Sequence, residues 1–168
     1  NSSQQSQGLQ HIEDLIQHGL VYIEIKDYKG AWMTFQRARI AKENDPRPLY
    51  YLIKILIKTH RYKMALNNAS TGIQLFPLDR NVQLLYAKIH AKLDLYQDAI
   101  RIYQFTLYNW KVTEKETNDV LHKIAKCLVA LSEYNEALSL IASKKNHIGC
   151  LYTIADIYLI QGRFIEAV

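Results

Sequence analysis

The sequence predicts an all-α protein, a solenoid of antiparallel helix pairs, and three observations carry that reading. An aromatic residue followed three positions later by alanine recurs at Tyr28/Ala31, Tyr62/Ala65, Tyr96/Ala99, Tyr134/Ala137 and Phe164/Ala167. The aromatic positions 28, 62 and 96 are 34 residues apart, and the steps to 134 and 164 are 38 and 30. Between these signatures apolar residues recur at helical spacing, as in Leu49, Leu52, Ile53, Leu56 and in Leu121, Ile124, Ala125, Leu128. A repeat of this period is one supersecondary unit that buries its apolar face only against its neighbours.

The elements follow in chain order. Residues 1–9 are expected to form a flexible tail, and the repeats occupy 12–168. A helix is expected near 10–25, where the alternation of Val21 to Ile25 is too short to override the helical frame, and its partner near 28–43 starts at the first signature. Asp45 before Pro46 is an N-cap followed by a first-turn proline, so the next pair lies near 46–60 and 62–75. Pro77 and Asp79 open the third pair, near 80–93 and 96–110. Thr113 with Glu116 offers a capping box ahead of helices near 116–131 and 134–143, and a last helix is expected near 148–161. No strand is expected. The chain starts without Met and stops at Val168 inside a repeat, and is read as a C-terminally incomplete piece of a longer protein.

Composition narrows the class. With 49% hydrophobic and 22% charged residues, three prolines and six glycines, the chain has the make-up of a packed soluble domain. No apolar stretch approaches the roughly 20 residues that a membrane helix needs, and the first ten residues lack the pattern of a signal peptide. A soluble, cytoplasmic protein is expected, without membrane contact. Cys127 and Cys150 sit in apolar helical stretches without C-x-x-C spacing, as buried free thiols do.

The repeat resembles the tetratricopeptide repeat family. Gly19, Tyr22, Tyr28, Ala31, Phe35 and Ala38 reproduce that family's order of small and aromatic positions in full. Tyr62, Ala65, Ala69, Gly72 and Pro77 continue it, then Ala87, Tyr96, Ala99 and Tyr103, then Ala125, Leu128, Tyr134, Ala137 and Ile141, and finally Ala155, Tyr158, Phe164 and Ala167. The resemblance spans about 12 to 168 and implies a right-handed α-solenoid of about four and a half units. Small residues let helices approach while aromatics fill the gaps between pairs.

In such a solenoid the first helix of each pair lines a concave groove. Its exposed positions are expected at Glu13, Ile16, Leu20 and Glu24; Arg47, Tyr50, Lys54, Ile57 and Lys58; Asn81, Leu84, Lys88 and Lys92; Asp119, His122 and Lys126; and Gly149, Tyr152 and Asp156. Lys54, Lys88 and Lys126 share one phase and are expected to form an exposed line of ammonium groups beside Arg47, Lys58 and Lys92. Lys54/Lys58 and Lys88/Lys92 are like-charge i,i+4 pairs, which helix stability alone does not favour. The candidate site is therefore Arg47, Tyr50, Lys54, Lys58, Leu84, Lys88, Lys92, His122, Lys126 and Tyr152, and its ligand an extended acidic peptide or other protein partner. Family members that clamp chaperone C-termini use lysine, asparagine and arginine where this chain has Ile16, Leu20, Tyr51, Asn81 and Leu85, so that ligand is not expected.

No H-E-x-x-H, phosphate loop or nucleophile elbow is present, and no cofactor, metal site or catalysis is expected. His147 and Cys150 are three residues apart, too sparse a pair for a metal. The leading function is a non-catalytic scaffold or adaptor for a peptide or partner subunits. The stretch from Val120 to Ala137 and that from Ile154 to Gly162 resemble the tetratricopeptide subunits of the anaphase-promoting complex. Secretion or assembly chaperones are built from the same repeat. The net charge of +5 also admits an RNA-binding helical repeat, against which the aromatic/alanine pattern argues. Self-association through an apolar edge of Ile157, Phe164 and Ile165 is a further expectation.

Overall fold

The computed structural model describes residues 2–162, and these form α1 (Ser2–Glu24), α2 (Tyr28–Ala41), α3 (Pro46–Lys58), α4 (Tyr62–Leu75), α5 (Arg80–Lys92), α6 (Tyr96–Asn109), α7 (Glu114–Ala130), α8 (Tyr134–Ile141) and α9 (Ile148–Ile160). No strand occurs among the described residues. The fifth signature, Phe164/Ala167, and Ile165 lie outside them. Two boundaries differ from the sequence expectation. α1 starts at Ser2 rather than near residue 10, because a polar run offers no apolar periodicity by which to see a helix. α8 stops at Ile141, where the chain turns through Lys144, whose N–H bonds the Ile141 carbonyl, toward His147.

The chain divides within α5 into two compact units, Asn1–Ile89 and His90–Val168. In the first, α1 packs on α2, α2 on α3 and α3 on α4. Its core holds Ala31, Phe35, Leu52 and Ile55, covered by Leu20, Ile23, Tyr28, Trp32 and Tyr51. Phe35 lies so close over Gly19 that a Cβ there would come within 2.5 Å of the ring, so the small residue fixes the approach of α1 and α2. In the second unit α6, α8 and α9 all pack on α7. Ala99, Tyr103, Val120, Ile124, Ala125, Leu128, Ala137, Ile141 and Ile157 are buried there. Ile157 thus belongs to the core and not to an apolar edge. Cys127 and Cys150 are buried free thiols, both pushed up in pKa by that burial.

Local rules set the helix ends. From α3 onward the first helix of a pair is capped by a side chain: Asp45 accepts from Arg47 N–H, Asp79 from Val82 N–H, and Thr113 forms the full capping box with Glu116. It ends on a left-handed residue two positions before the signature aromatic, at Lys26, His60, Asp94 and Ser132, with φ of 61°, 58°, 61° and 63°. After His60, Asp94 and Ser132 the next N–H reaches back to the carbonyls of Leu56, His90 and Leu128, closing the helix as a Schellman motif does. Glycine usually fills such a position, and this chain uses it at none of the four.

Ala31, Ala65, Ala99 and Ala137 are all fully buried. Enlarging one, as in Ala65→Leu, should cost about 1–3 kcal/mol by overpacking, read as a lower urea midpoint. Thermal unfolding matching the parent would contradict this packing.

At Ser132, removing the left-handed penalty of about 1–2 kcal/mol should outweigh the added freedom of the unfolded chain, about 0.4–1 kcal/mol. Ser132→Gly should therefore raise the melting temperature slightly, and a lower one would show that the hydroxyl has a structural use.

Candidate functional site

The α3 surface is built from the core outward. Tyr51 stacks on the buried Phe35 with ring centroids 4.8 Å apart, and Tyr50 meets Tyr51 edge-on at 5.2 Å. Lys54, one turn further along α3, places its Nζ 5.3 Å from the Tyr50 ring centre and 5.7 Å from that of Tyr51. The expected exposure of Lys54 is corrected by this contact. Its ammonium group lies over two rings and the residue is half-buried, a cation held against aromatic rings with no carboxylate partner among the described residues. Burial, then the neighbouring Tyr51 and Asp79, raises the Tyr50 hydroxyl pKa.

Arg47 is a strut. Its guanidinium donates to both Asp45 oxygens, with Nη2 to Oδ2 at 2.7 Å, and reaches Glu13 Oε1 on α1 at 2.7 Å. Those bonds hold the Asp45 carboxyl below its ordinary pKa and push the Arg47 guanidinium up. Two residues expected to line the groove, Arg47 and Glu13, thus neutralise each other. Ile16 and Ile57 are buried and do not line a groove at all, burial that a single-helix projection does not reveal. Lys58, the last residue of α3, is exposed; on α5 within the same unit Leu84 is half-buried and Lys88 exposed.

The second unit carries Lys92, His122, Lys126 and Tyr152. Lys92 ends α5, and Lys126 on α7 and Tyr152 on α9 are exposed, Tyr152 to 70%. His122 sits at a junction that the sequence does not announce. Its ring lies against Gly149, where a Cβ would approach it to 2.5 Å, and its Nε2 is 3.2 Å from Thr153 Oγ1. Thr153 donates its own hydroxyl hydrogen to the Gly149 carbonyl, so His122 Nε2 is the donor. His147, 5.4 Å away ring to ring, caps α9 by accepting from Cys150 N–H at Nδ1 and donates from Nε2 to Asp119 Oδ1 at 2.8 Å. Cys150 meets His147 through its backbone and not through its thiol. No group of three His, Cys, Asp or Glu residues placed to hold a metal occurs among the described residues.

Solved structures share this arrangement of helix pairs. TTC0263, a thermophilic tetratricopeptide protein of Thermus thermophilus, superposes with a TM-score of 0.71 at 18% identity, covering 93% of this chain and 86% of its own. The fold is that of a tetratricopeptide repeat protein. MamA from Desulfovibrio magneticus RS-1 gives a TM-score of 0.76 at 11% identity, over 93% of this chain and 88% of MamA. YrrB, described as a tetratricopeptide protein with an unusual peptide-binding site, gives 0.69 at 14% identity over 96% and 87%. The family model for anaphase-promoting complex, cyclosome, subunit 3 matches residues 107–168. No curated protein matches the sequence. Among the described residues no helix is long and apolar enough to cross a membrane.

The paired imidazoles predict a pH dependence. Burial, then the charges of His147 and Lys126, holds His122 below the ordinary 6.5. Between its folded pKa and 6.5 the unfolded chain binds more protons, so stability is complete above about 6.5 and falls as pH drops through that window. Urea unfolding at pH 7.5 and 5.5 should show the loss, and His122→Gln should reduce it. An unchanged slope would remove His122 as the cause.

Proposed function

We propose that this tetratricopeptide chain is a non-catalytic scaffold that holds an extended, acidic segment of a protein partner on its first helices, within a multisubunit assembly. The observation that carries the reading is Lys54, an ammonium group set between Tyr50 and Tyr51 with no carboxylate beside it among the described residues. A carboxylate arriving there meets a preorganised cation, with the half-buried Tyr50 ring beside it to take a neighbouring side chain. Lys58 and Lys88 extend the positive charge of the first unit, while Lys92, Lys126 and Tyr152 give the second its own basic and aromatic positions. Arg47 contributes by bracing α1 against α3. Two likenesses support the choice of ligand and setting: YrrB is a neighbour described by a peptide-binding site, and residues 107–168 are similar to a subunit of a large complex.

The test is a titration of fluorescent dodecapeptides rich in Glu and Tyr against the parent chain and against Lys54→Ala and Lys88→Ala, singly and combined, with Lys126→Ala measured separately for the second unit. Each contact contributes about 0.2–1 kcal/mol, so single changes should weaken binding by up to about fivefold and the double change more. Affinity should also fall with salt, since at 0.15 M charges are screened beyond about 8 Å. Equal affinities in parent and double variant would eliminate the basic surface of the first unit.

A further inference from the structure

We propose a second docking site, separate from the Lys54 surface: a cleft between α2, α3 and the start of α4 that takes a partner peptide carrying an aromatic or leucine side chain directly followed by Asp or Glu. The cleft has a volume of about 330 Å³, at the lower end of the range for ligand pockets and suited to a single large side chain. Ile55 and Leu56 form its buried floor, and Tyr28, Trp32 and Met64 its walls, Met64 remaining 48% exposed. Such a partly open apolar surface gains by being covered.

Charge identifies what covers it. Lys29 and Arg61 stand on the rim, both exposed, no carboxylate lines the cleft, and neither cation is ion-paired among the described residues. The nearest acid in sequence, Asp27, is occupied in accepting from Gly30 N–H at 2.9 Å. The Thr59 hydroxyl is likewise turned inward, onto the Ile55 carbonyl at 2.9 Å. Helix stability does not account for the two cations. Lys29 is the second residue of α2 and Arg61 immediately precedes α4, where the helix dipole disfavours positive charge. An apolar hollow between two uncompensated cations is complementary to an apolar side chain next to a carboxylate. None of Tyr50, Lys54, Lys58 or Lys88 lines it, so the site is independent of the proposed groove.

A random dodecapeptide library displayed on phage, selected on the whole chain, tests the proposal. Clones are counter-selected on Lys29→Glu/Arg61→Glu and, separately, on Lys54→Ala/Lys88→Ala. Peptides with Phe, Trp or Leu before Asp or Glu should be enriched, and synthetic copies should lose roughly tenfold or more in affinity on the charge-reversed variant while keeping parent affinity on the other. In a Trp110→Phe background, which leaves Trp32 as the sole tryptophan of the two, bound peptide should change the fluorescence. Circular dichroism should match the parent, since the reversed side chains are exposed. The proposal is overturned if no selected peptide depends on Lys29 and Arg61, or if Trp32 emission is indifferent to one that does. Peptides lost only on the Lys54/Lys88 variant would likewise overturn it while supporting the groove.

Discussion

Everything in this chain depends on how closely its helices can approach, and a methyl group or less sets that distance. Ala31, Ala65, Ala99 and Ala137 are fully buried three residues after the aromatic that starts each second helix, and Gly19 receives the ring of Phe35. Functional geometry inherits this. Because Phe35 is pressed onto α1, it is a fixed platform for Tyr51, which orients Tyr50, and the two tyrosines together hold Lys54. A surface cation is thereby positioned from the core through three rings in contact, with little freedom left in any of them.

Beyond the first pair, helix ends divide the labour between the two members. α3, α5, α7 and α9 begin on a side chain that caps them, Asp45, Asp79, Thr113 and His147, whereas α4, α6 and α8 follow a tight left-handed turn and carry no side-chain cap. The first pair differs, since α2, itself a second helix, is capped by Asp27. From α3 onward first helices are therefore pinned at their starts. His147 is the unusual member, since an imidazole caps only while Nδ1 is unprotonated, and the bond from Nε2 to Asp119 ties that tautomer to α7. The start of α9 and the surface of α7 are consequently one electrostatic unit, in which Lys115, Lys123, Lys126 and Lys144 set the surrounding potential.

Much of this was legible in the sequence, for identifiable reasons. The alanine phase, the Asp45 and Thr113 caps and most helix boundaries follow from local chemistry, which one stretch of sequence carries in full. What the sequence hides is what two helices decide together. Ile16, Ile57 and Ile157 look like surface positions on a single-helix projection, yet packing in the folded chain buries all three. Arg47 and Glu13 look like independent groove charges, and their bond spans 34 residues of chain. His147 carries no capping signature because histidine is outside the usual set, and the cleft at Trp32 is assembled from the ends of three helices with no motif of its own.

The two cysteines add something of a different kind. Cys127 and Cys150 are sealed in the second unit with their thiols held in the protonated, unreactive form by burial. Alkylating reagents reach them only when α7 or α9 moves away from its neighbours. Their rate of labelling is then a clock for local opening, native to the chain and requiring no introduced probe. One cysteine lies on each of the two helices that share the histidine junction, so the same clock reads whether they part together or one at a time.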